Sequence, residues 1–505
     1  MWVAIIQCAA KPWRRCQTAV GTYRTFRIGR PWSVWKLKTR TNYRLALTSL
    51  GLSVVTAYAQ APVDLKSAVE QAVLQHPEVR LRHSNLDAAG EEQSAARGAW
   101  LPRLDVQAIA GRERKETPTL GSSRSYSHPS TLVELRQTLF DGFATSSEVR
   151  RLGHNRQTRY YELLATSDEV ALEAARAYID VLRYRELTEL ARNNYGTHAE
   201  IHGQLNKRVT AGVGRRVDLE QAAGRLALAE SNWLTESSNL HDVSARYQRL
   251  VGDLPAPTLA KLPPLEAALP RREGFLAETI SRNPSFLAAV ATIRANRADT
   301  DVRRAGRWPT LELRASQTHQ RNENGVSGTY RDSAVQLVLN YNLFRGGADN
   351  ARVRQFEAQL NAAYELRDKT CRDIRQTAQI AFNDIQRLGA QLGLLNQHEL
   401  STAKARDAYR QQFDIGQRSL LDLLDTENEL FEARRALSNG EYDLQLARVK
   451  VLSYSSRLLG ALQLRPPQAK EPEQPGGVAE DDNLLRCSTE LPPGLTLDKR
   501  NLPTP

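Results

Sequence analysis

A repeat dominates this chain, and it excludes most of the ways in which 505 residues could fold. His76-Pro77 returns as Asn283-Pro284, and Trp100-Leu101-Pro102 as Trp308-Pro309; both prolines are displaced by 207 positions. Leu139-Phe140-Asp141-Gly142 returns as Leu343-Phe344-Arg345-Gly346, and AGVGRRVDL, with Gly212 and Asp218, returns as DIGQRSLLDL, with Gly416 and Asp422, each displaced by 204. Leu250-Val251-Gly252 matches Leu458-Leu459-Gly460 at a displacement of 208. One unit is written twice, so the fold has to be argued from a single unit and then doubled. The divisions that follow are a leader (1–59), a first unit (60–252), a Pro-rich linker (253–272), a second unit (273–462) and a Pro-rich tail of mixed charge (463–505) expected to be disordered.

Periodicity identifies the parts of each unit. Residues 64–98 and 273–306 are Ala-rich with a helical pattern. Alternating segments follow. Leu104, Val106 and Ala108, and again Leu311, Leu313 and Ala315, begin strands; Val335, Leu337, Leu339, Tyr341 and Leu343 alternate with polar Gln336, Asn340 and Asn342. Polar loops at 117–129 and 322–328 join each pair as a hairpin. Each unit then returns to helix for a long way, from about 144 to 209 and from about 348 to 413, followed by shorter return helices over 217–251 and 420–459. An unbroken helix of some 66 residues is a rod about 100 Å long. Leu423, Leu430, Leu437, Leu444, Val451 and Leu458 recur every seven residues, as do Leu163, Val170, Ala177, Tyr184 and Ala191. Stripes this narrow pack rods side by side; they do not build a globular core.

Charge and leader place the chain in a compartment. The 69 basic and 57 acidic residues suggest a nucleic-acid binder, but ten Lys and Arg fall within residues 1–59 and no Asp or Glu precedes Asp64. The remainder is nearly neutral, and no nucleic-acid partner is expected. Arg44 followed by LALTSLGLSVVTAYAQA reads as a secretory signal cleaved after Ala59, its apolar run too short to span a bilayer. Met1 is the only methionine, which leaves a non-Met codon further in as an alternative start. No Cys follows the apolar run, so a lipid anchor is unsupported, and Cys371 and Cys487 by themselves make no disulfide framework. With no later run long enough for a transmembrane helix, any membrane crossing falls to the strands. Four strands of roughly ten residues have the length a tilted membrane strand needs. They cannot close a barrel alone, because an open edge in lipid leaves backbone groups unpaired and the smallest closed barrels have about eight strands. Several chains must share one barrel.

At this point the chain resembles the TolC-like outer-membrane channels, which serve type I protein secretion and multidrug efflux. The resemblance covers about residues 62–462 and rests on the repeat, the strand exits LFDGF and LFRGG, and the turns AGVGRRVDL and FDIGQRSLLDLLDTEN. It implies an α+β membrane protein: a homotrimer in which each chain gives four strands to a twelve-stranded outer-membrane barrel, continued by a long periplasmic α-helical barrel. It also implies that the turns around Gly212, Gly214 and Gly416 form a periplasmic tip, where a membrane-fusion adaptor and an inner-membrane transporter dock. Asp422 and Asp425 match a pair that rings the entrance, six carboxylates about one axis; on the residues alone they are equally a solvated helix face. Arg418 and Asp218 match residues that hold the entrance shut. Phe413 stands where the family pattern has a tyrosine, so one hydroxyl of that closing network is missing.

Other chemistry finds little support. His198 and His202 in HAEIH have metal-ligand spacing, but Ala199 stands where a zinc protease needs Glu, and both read as surface histidines. Gly346-Gly347 lacks the Lys and Ser/Thr of a phosphate loop and reads as a strand-to-helix bend. No metal, cofactor or catalytic constellation is expected, and the chain reads as a non-enzyme. Trp100, Trp308, Phe140, Phe143, Tyr341 and Phe344 at the strand ends are candidates for an aromatic girdle at the lipid boundary, with packing at the strand–helix junction as the alternative. The expected function is an outer-membrane exit duct, for type I secretion of a protein such as an RTX toxin with an ABC transporter, or alternatively for multidrug efflux. A soluble periplasmic coiled-coil adaptor is the rival of a different class, and a passive porin a further one.

Overall fold

The computed structural model describes residues 62–116, 123–466, 469–473 and 482–490. The leader expected at 1–59 lies outside them. Two helices open the first half, α1 (Leu65–Gln75) and α2 (Pro77–Arg97). Asp64 caps α1 by accepting from the Ser67 N–H at 2.8 Å, and Pro77 starts α2, where its missing N–H costs nothing. Then come β1 (Arg103–Ile109), β2 (Arg112–Lys115), β3 (Arg124–Ser127), β4 (Ser130–Phe140), the 67-residue α3 (Ala144–Thr210) and α4 (Arg216–Val251). The second half runs α5 (Phe275–Arg282), α6 (Pro284–Ala305), β5 (Thr310–Arg321), β6 (Thr329–Asn340), the 67-residue α7 (Ala348–Asp414), α8 (Leu420–Tyr454) and α9 (Leu458–Ala461). Both halves thus follow the order helix, helix, hairpin, rod, return helix.

Four strands form one antiparallel sheet in the order β1-β4-β5-β6. Directly paired residues share a face. Leu104↔Leu135, Val106↔Val133, Ala315↔Val335, Leu313↔Leu337 and Leu311↔Leu339 run across the sheet as one apolar face, while Arg103, Asp105, Glu134, Arg136, Glu312 and Arg314 occupy the other. The polar face carries ion pairs within single strands, Arg136–Glu134 in β4 and Arg314–Glu312 in β5, both 2.7 Å. The apolar face has no cover: Val335 is 77% exposed, and Leu104, Val106, Leu337 and Leu339 are exposed with it. Two expectations need correction here. The first hairpin loop is shorter than 117–129, because β2 and β3 continue the hairpin as a separate two-stranded ribbon. The last strand stops at Asn340, so Tyr341 and Leu343 lie beyond the ladder.

Strand passes to rod through left-handed backbone, at Gly142 (φ 66°) and Phe143 (φ 67°) in one half and at Gly346 (φ 59°) and Gly347 (φ 81°) in the other. Gly142 is doubly constrained, since a Cβ there would lie 2.6 Å from the Trp308 Cβ. The main core sits where the two halves meet. Leu65 and Val69 of α1, Leu163, Ile179 and Tyr178 of α3, Tyr247 and Leu250 of α4, Leu452 of α8 and Leu458 of α9 are buried in it together. The Tyr178 hydroxyl lies within hydrogen-bond distance of the carbonyls of Val63 (2.9 Å) and Ala260 (2.7 Å), which share its one proton and set the Pro-rich linker beside the start of α1. The expected seams are buried along most of their length, at Leu423, Leu430, Leu444 and Val451 in α8 and at Leu163, Val170, Ala177 and Ala191 in α3.

The tail departs from expectation in its described parts. Glu471 accepts from the Tyr161 hydroxyl of α3 at 3.3 Å, and Leu484, 3% exposed, is packed with Ile280, Phe286 and Ile293. Arg367 of α7 donates to the carbonyls of Leu484 (3.2 Å) and Arg486 (3.1 Å), and Cys487 forms a disulfide with Cys371 of α7. The two cysteines therefore do pair. Residues 482–490 form a strap against α5, α6 and α7 rather than a disordered end.

Candidate functional site

Both rods end in the same kind of turn. After α3 the N–H groups of Gly212 and Val213 donate back to Val209 (2.9 Å) and Arg208 (3.0 Å); after α7 those of Gly416 and Gln417 donate to Phe413 (3.0 Å) and Gln412 (2.8 Å). These bonds satisfy the last helical carbonyls, and they require a left-handed residue, supplied by Gly212 and Gly416 at φ 77° each. Gly214 is needed for closeness instead, since a Cβ there would approach the Val209 N–H at 2.9 Å. Ser419 then caps α8 by accepting from the Asp422 N–H at 3.2 Å, whereas Arg215 offers α4 no side-chain cap.

The two turns are held side by side by an apolar cluster. Leu205 of α3, Ala222 of α4 and Leu420 and Leu424 of α8 are buried together, with Ile201, Leu219 and Phe413 packed around them. Phe413 thus joins the two halves through its ring. The Arg208 guanidinium of the opposite half stands 5.9 Å from that ring's centroid, a cation–π contact. A cavity of about 210 Å³ opens beside it, lined by Glu200, Arg208, Arg410, Phe413 and Glu427 among others.

The expected closure residues are not brought together. Arg418 folds onto its own half: it stands over the Tyr409 ring at 4.5 Å, donates to Gln412 at 3.1 Å and lies 3.7 Å from Asp422. Asp218 is half-buried and has no ion pair among the described residues. The ion pairs between the halves draw on three residues that the sequence did not single out, Arg225, Glu236 and Arg435. Arg225 of α4 donates to Asp425 of α8, and three turns further from the tip Arg435 of α8 pairs with the buried Glu236 of α4 at 2.9 Å. Asp422 and Asp425 keep side-chain exposures of 39% and 48%, and each has an arginine beside it. Glu427, 8% exposed, leaves one carboxylate oxygen unbonded, 3.7 Å from Arg406; burial raises its pKa, and the Arg406 charge opposes that rise.

His198 is also a correction, because it is buried rather than on the surface and its Nδ1 has no partner; burial, and secondarily the charge of Arg225, lowers its pKa. His202 is half-buried on the same rod. At the far end of the molecule Trp100, Trp308, Phe140, Tyr341 and Phe344 share the end of the sheet that joins the helices. All but the half-buried Phe140 are exposed, Phe344 by 83%.

This architecture, an open four-stranded sheet on paired rods with a turn-bearing tip, is matched by known proteins. The family model "Outer membrane efflux protein" covers residues 68–253 and 275–455. The chain belongs to the outer membrane efflux protein family. It is similar to the outer membrane efflux protein BepC of Brucella suis (24% identity, 82% of this chain and 90% of that protein) and to the alkaline protease secretion protein AprF of Pseudomonas aeruginosa (27%, 74% and 80%). Its fold matches that of the Campylobacter jejuni CmeC outer membrane channel with a TM-score of 0.71 at 16% identity, over 78% of this chain and 86% of that one. As an outer membrane efflux protein it is a channel component of the outer membrane that extends into the periplasm, which rules out the soluble adaptor. No helix among the described residues is long and apolar enough to cross a membrane. The sheet is the part suited to lipid.

Proposed function

We propose that three copies of this chain assemble into one exit duct, each giving β1, β4, β5 and β6 to a shared twelve-stranded barrel and its rods to a periplasmic α-helical barrel. The observation that carries this reading is the sheet: one face is continuous, apolar and uncovered, the other charged, and β1 and β6 each lack a partner on one side among the described residues. In lipid such edges have to be paired, and pairing β1 of one copy with β6 of the next closes the ring. The duct performs no catalysis and binds no cofactor. A periplasmic adaptor docks at the tip around Gly212, Gly214 and Gly416, and an inner-membrane transporter of the ABC type supplies the energy. The cargo is a secreted protein, a reading supported by the likeness to AprF; the likeness to BepC supports multidrug efflux as the second reading.

In the trimer Asp422 and Asp425 form the ring at the entrance. Cysteines placed at Val106 and Leu337 test the assembly: oxidation is expected to give a trimer-sized species in outer-membrane extracts. Only monomers, or an open ladder of larger species, would overturn it. Loss of a large secreted protein from the medium on gene deletion, with drug susceptibility unchanged, separates secretion from efflux.

A further inference from the structure

The ring reading treats Asp425 as a free carboxylate, but in this protomer it is not free. Arg225 reaches it from the other half of the chain, with side-chain exposures of 34% for the arginine and 48% for the aspartate. The contact is placed by the apolar cluster at the tip. Ala222 lies three residues before Arg225 and Leu424 one residue before Asp425, and both are buried in that cluster, so the ion pair is its polar continuation away from the turns. Register is fixed a second time by Glu236–Arg435, in which the signs are reversed: α4 contributes the cation near the tip and the anion above it. Sliding α8 by one turn would bring Glu432 toward Glu236, a like-charge contact that the observed register avoids.

We infer that Arg225 is a positioning residue of the entrance: it fixes the Asp425 carboxylate against α4 and takes up its charge, so that it sets how strongly the entrance holds a multivalent cation. This rests on the proposed ring of Asp422 and Asp425. Asp422 does not share the dependence on the other half, because its arginine, Arg418, comes from four residues earlier in the same half. Removing Arg225 therefore unmasks one carboxylate per chain, and only at Asp425.

The test uses the full-length protein in planar bilayers with Gd³⁺ added on the periplasmic side. Arg225→Gln is expected to tighten the Gd³⁺ block by roughly five- to tenfold, the scale of one exposed ion pair released into a shared site. Asp425→Asn is expected to weaken it. The exchanged pair Arg225→Asp with Asp425→Arg restores the contact with the charges reversed, and the Gd³⁺ block is expected to be lost in it as well. An unchanged or weaker block in Arg225→Gln, with weakening in Asp425→Asn, would overturn the role of Arg225 and leave the ring standing. No change in either single variant, or in Asp422→Asn with Asp425→Asn, would overturn the ring itself and the inference with it. Recovery of the block in the exchanged pair would make Arg225 a structural contact only, again overturning the inference.

Discussion

Reduction of the Cys371–Cys487 bond is expected to free the strap without unfolding the rods. Cys487 lies 15 residues beyond the buried Pro472, where the tail is still docked on the body, so the bond closes a loop of that size. Chain-entropy closure of such a loop is worth about 3 kcal/mol. What remains after reduction is the burial of Leu484 and the hydrogen bonds from Arg367 and Gln379. Those contribute about 2 kcal/mol for the side chain and about 1 kcal/mol per bond, while ordering each residue of the strap costs about 1–2 kcal/mol. The contacts alone are too weak to keep the strap docked. Arg486 is exposed within the strap, so trypsin reports its opening. Cys487→Ser is expected to raise the rate of cleavage after Arg486 by about two to three orders of magnitude, with the rods still resistant. Mass spectrometry of timed digests reads this directly. Protection within threefold of the oxidised protein would show that the side-chain contacts hold the strap and that the entropy argument is wrong.

Two further predictions test burial. Arg435→Met leaves the carboxylate of Glu236, 3% exposed, without its cation and is expected to destabilise the fold by about 3 kcal/mol in urea unfolding; Arg434→Met removes a more exposed pair with Glu399 and is expected to cost below about 1 kcal/mol. Equal losses would refute the burial argument. Burial pushes the Asp168 carboxyl from 3.8 up to about 6. A carboxyl raised in the folded state contributes stability that is complete below the unfolded pKa and is lost as pH rises through the folded one, so that contribution disappears between about pH 4 and pH 6. Asp168→Asn is expected to flatten the change in melting temperature across that window, and an unchanged slope would assign it to other groups.

The rods were legible because nothing interrupts them. α3 and α7 contain no proline, and glycines stand at both ends where the backbone turns left-handed, so periodicity located their limits to within about a residue. The strands were legible where one face is apolar and illegible where it is not. Arg112–Lys115 and Arg124–Ser127 carry no alternation of apolar side chains, and their pairing follows only from continuing the ladder of β1 and β4. The ion pairs at the tip join residues about 200 positions apart in a chain with 69 basic side chains, a choice that composition cannot make. The disulfide joins two cysteines 116 residues apart with no spacing motif. His198 is different, because its burial was written in the pattern. The seam of α3 runs through Ala191 to Leu205 in steps of seven, and His198 is the step between them. Glu236 likewise lies in the buried series Ala222, Ala229, Val243 and Leu250 of α4. Residue type argued for the surface at both positions. Period argued for the seam, and period was the better guide.

Those two polar steps bear on how the halves come apart. A charged residue in an otherwise apolar seam weakens packing but fixes register, because only one alignment supplies its partner. Between the halves, the contacts stiffen with distance from the tip. Arg208 over Phe413 and Arg225 with Asp425 are partly exposed and worth about 1 kcal/mol each or less. Eleven residues beyond Arg225, about 16 Å along α4, the buried carboxylate of Glu236 meets the half-exposed Arg435, and leaving that carboxylate unpaired costs about 3 kcal/mol. Separation of the two turns has to expose the apolar cluster of Leu205, Ala222, Leu420 and Leu424 as well as break these two contacts, and it becomes costlier again past Glu236. Movement at the tip is confined to the last few helical turns, where the entrance residues lie, while the seam above and the core around Tyr178 stay in register.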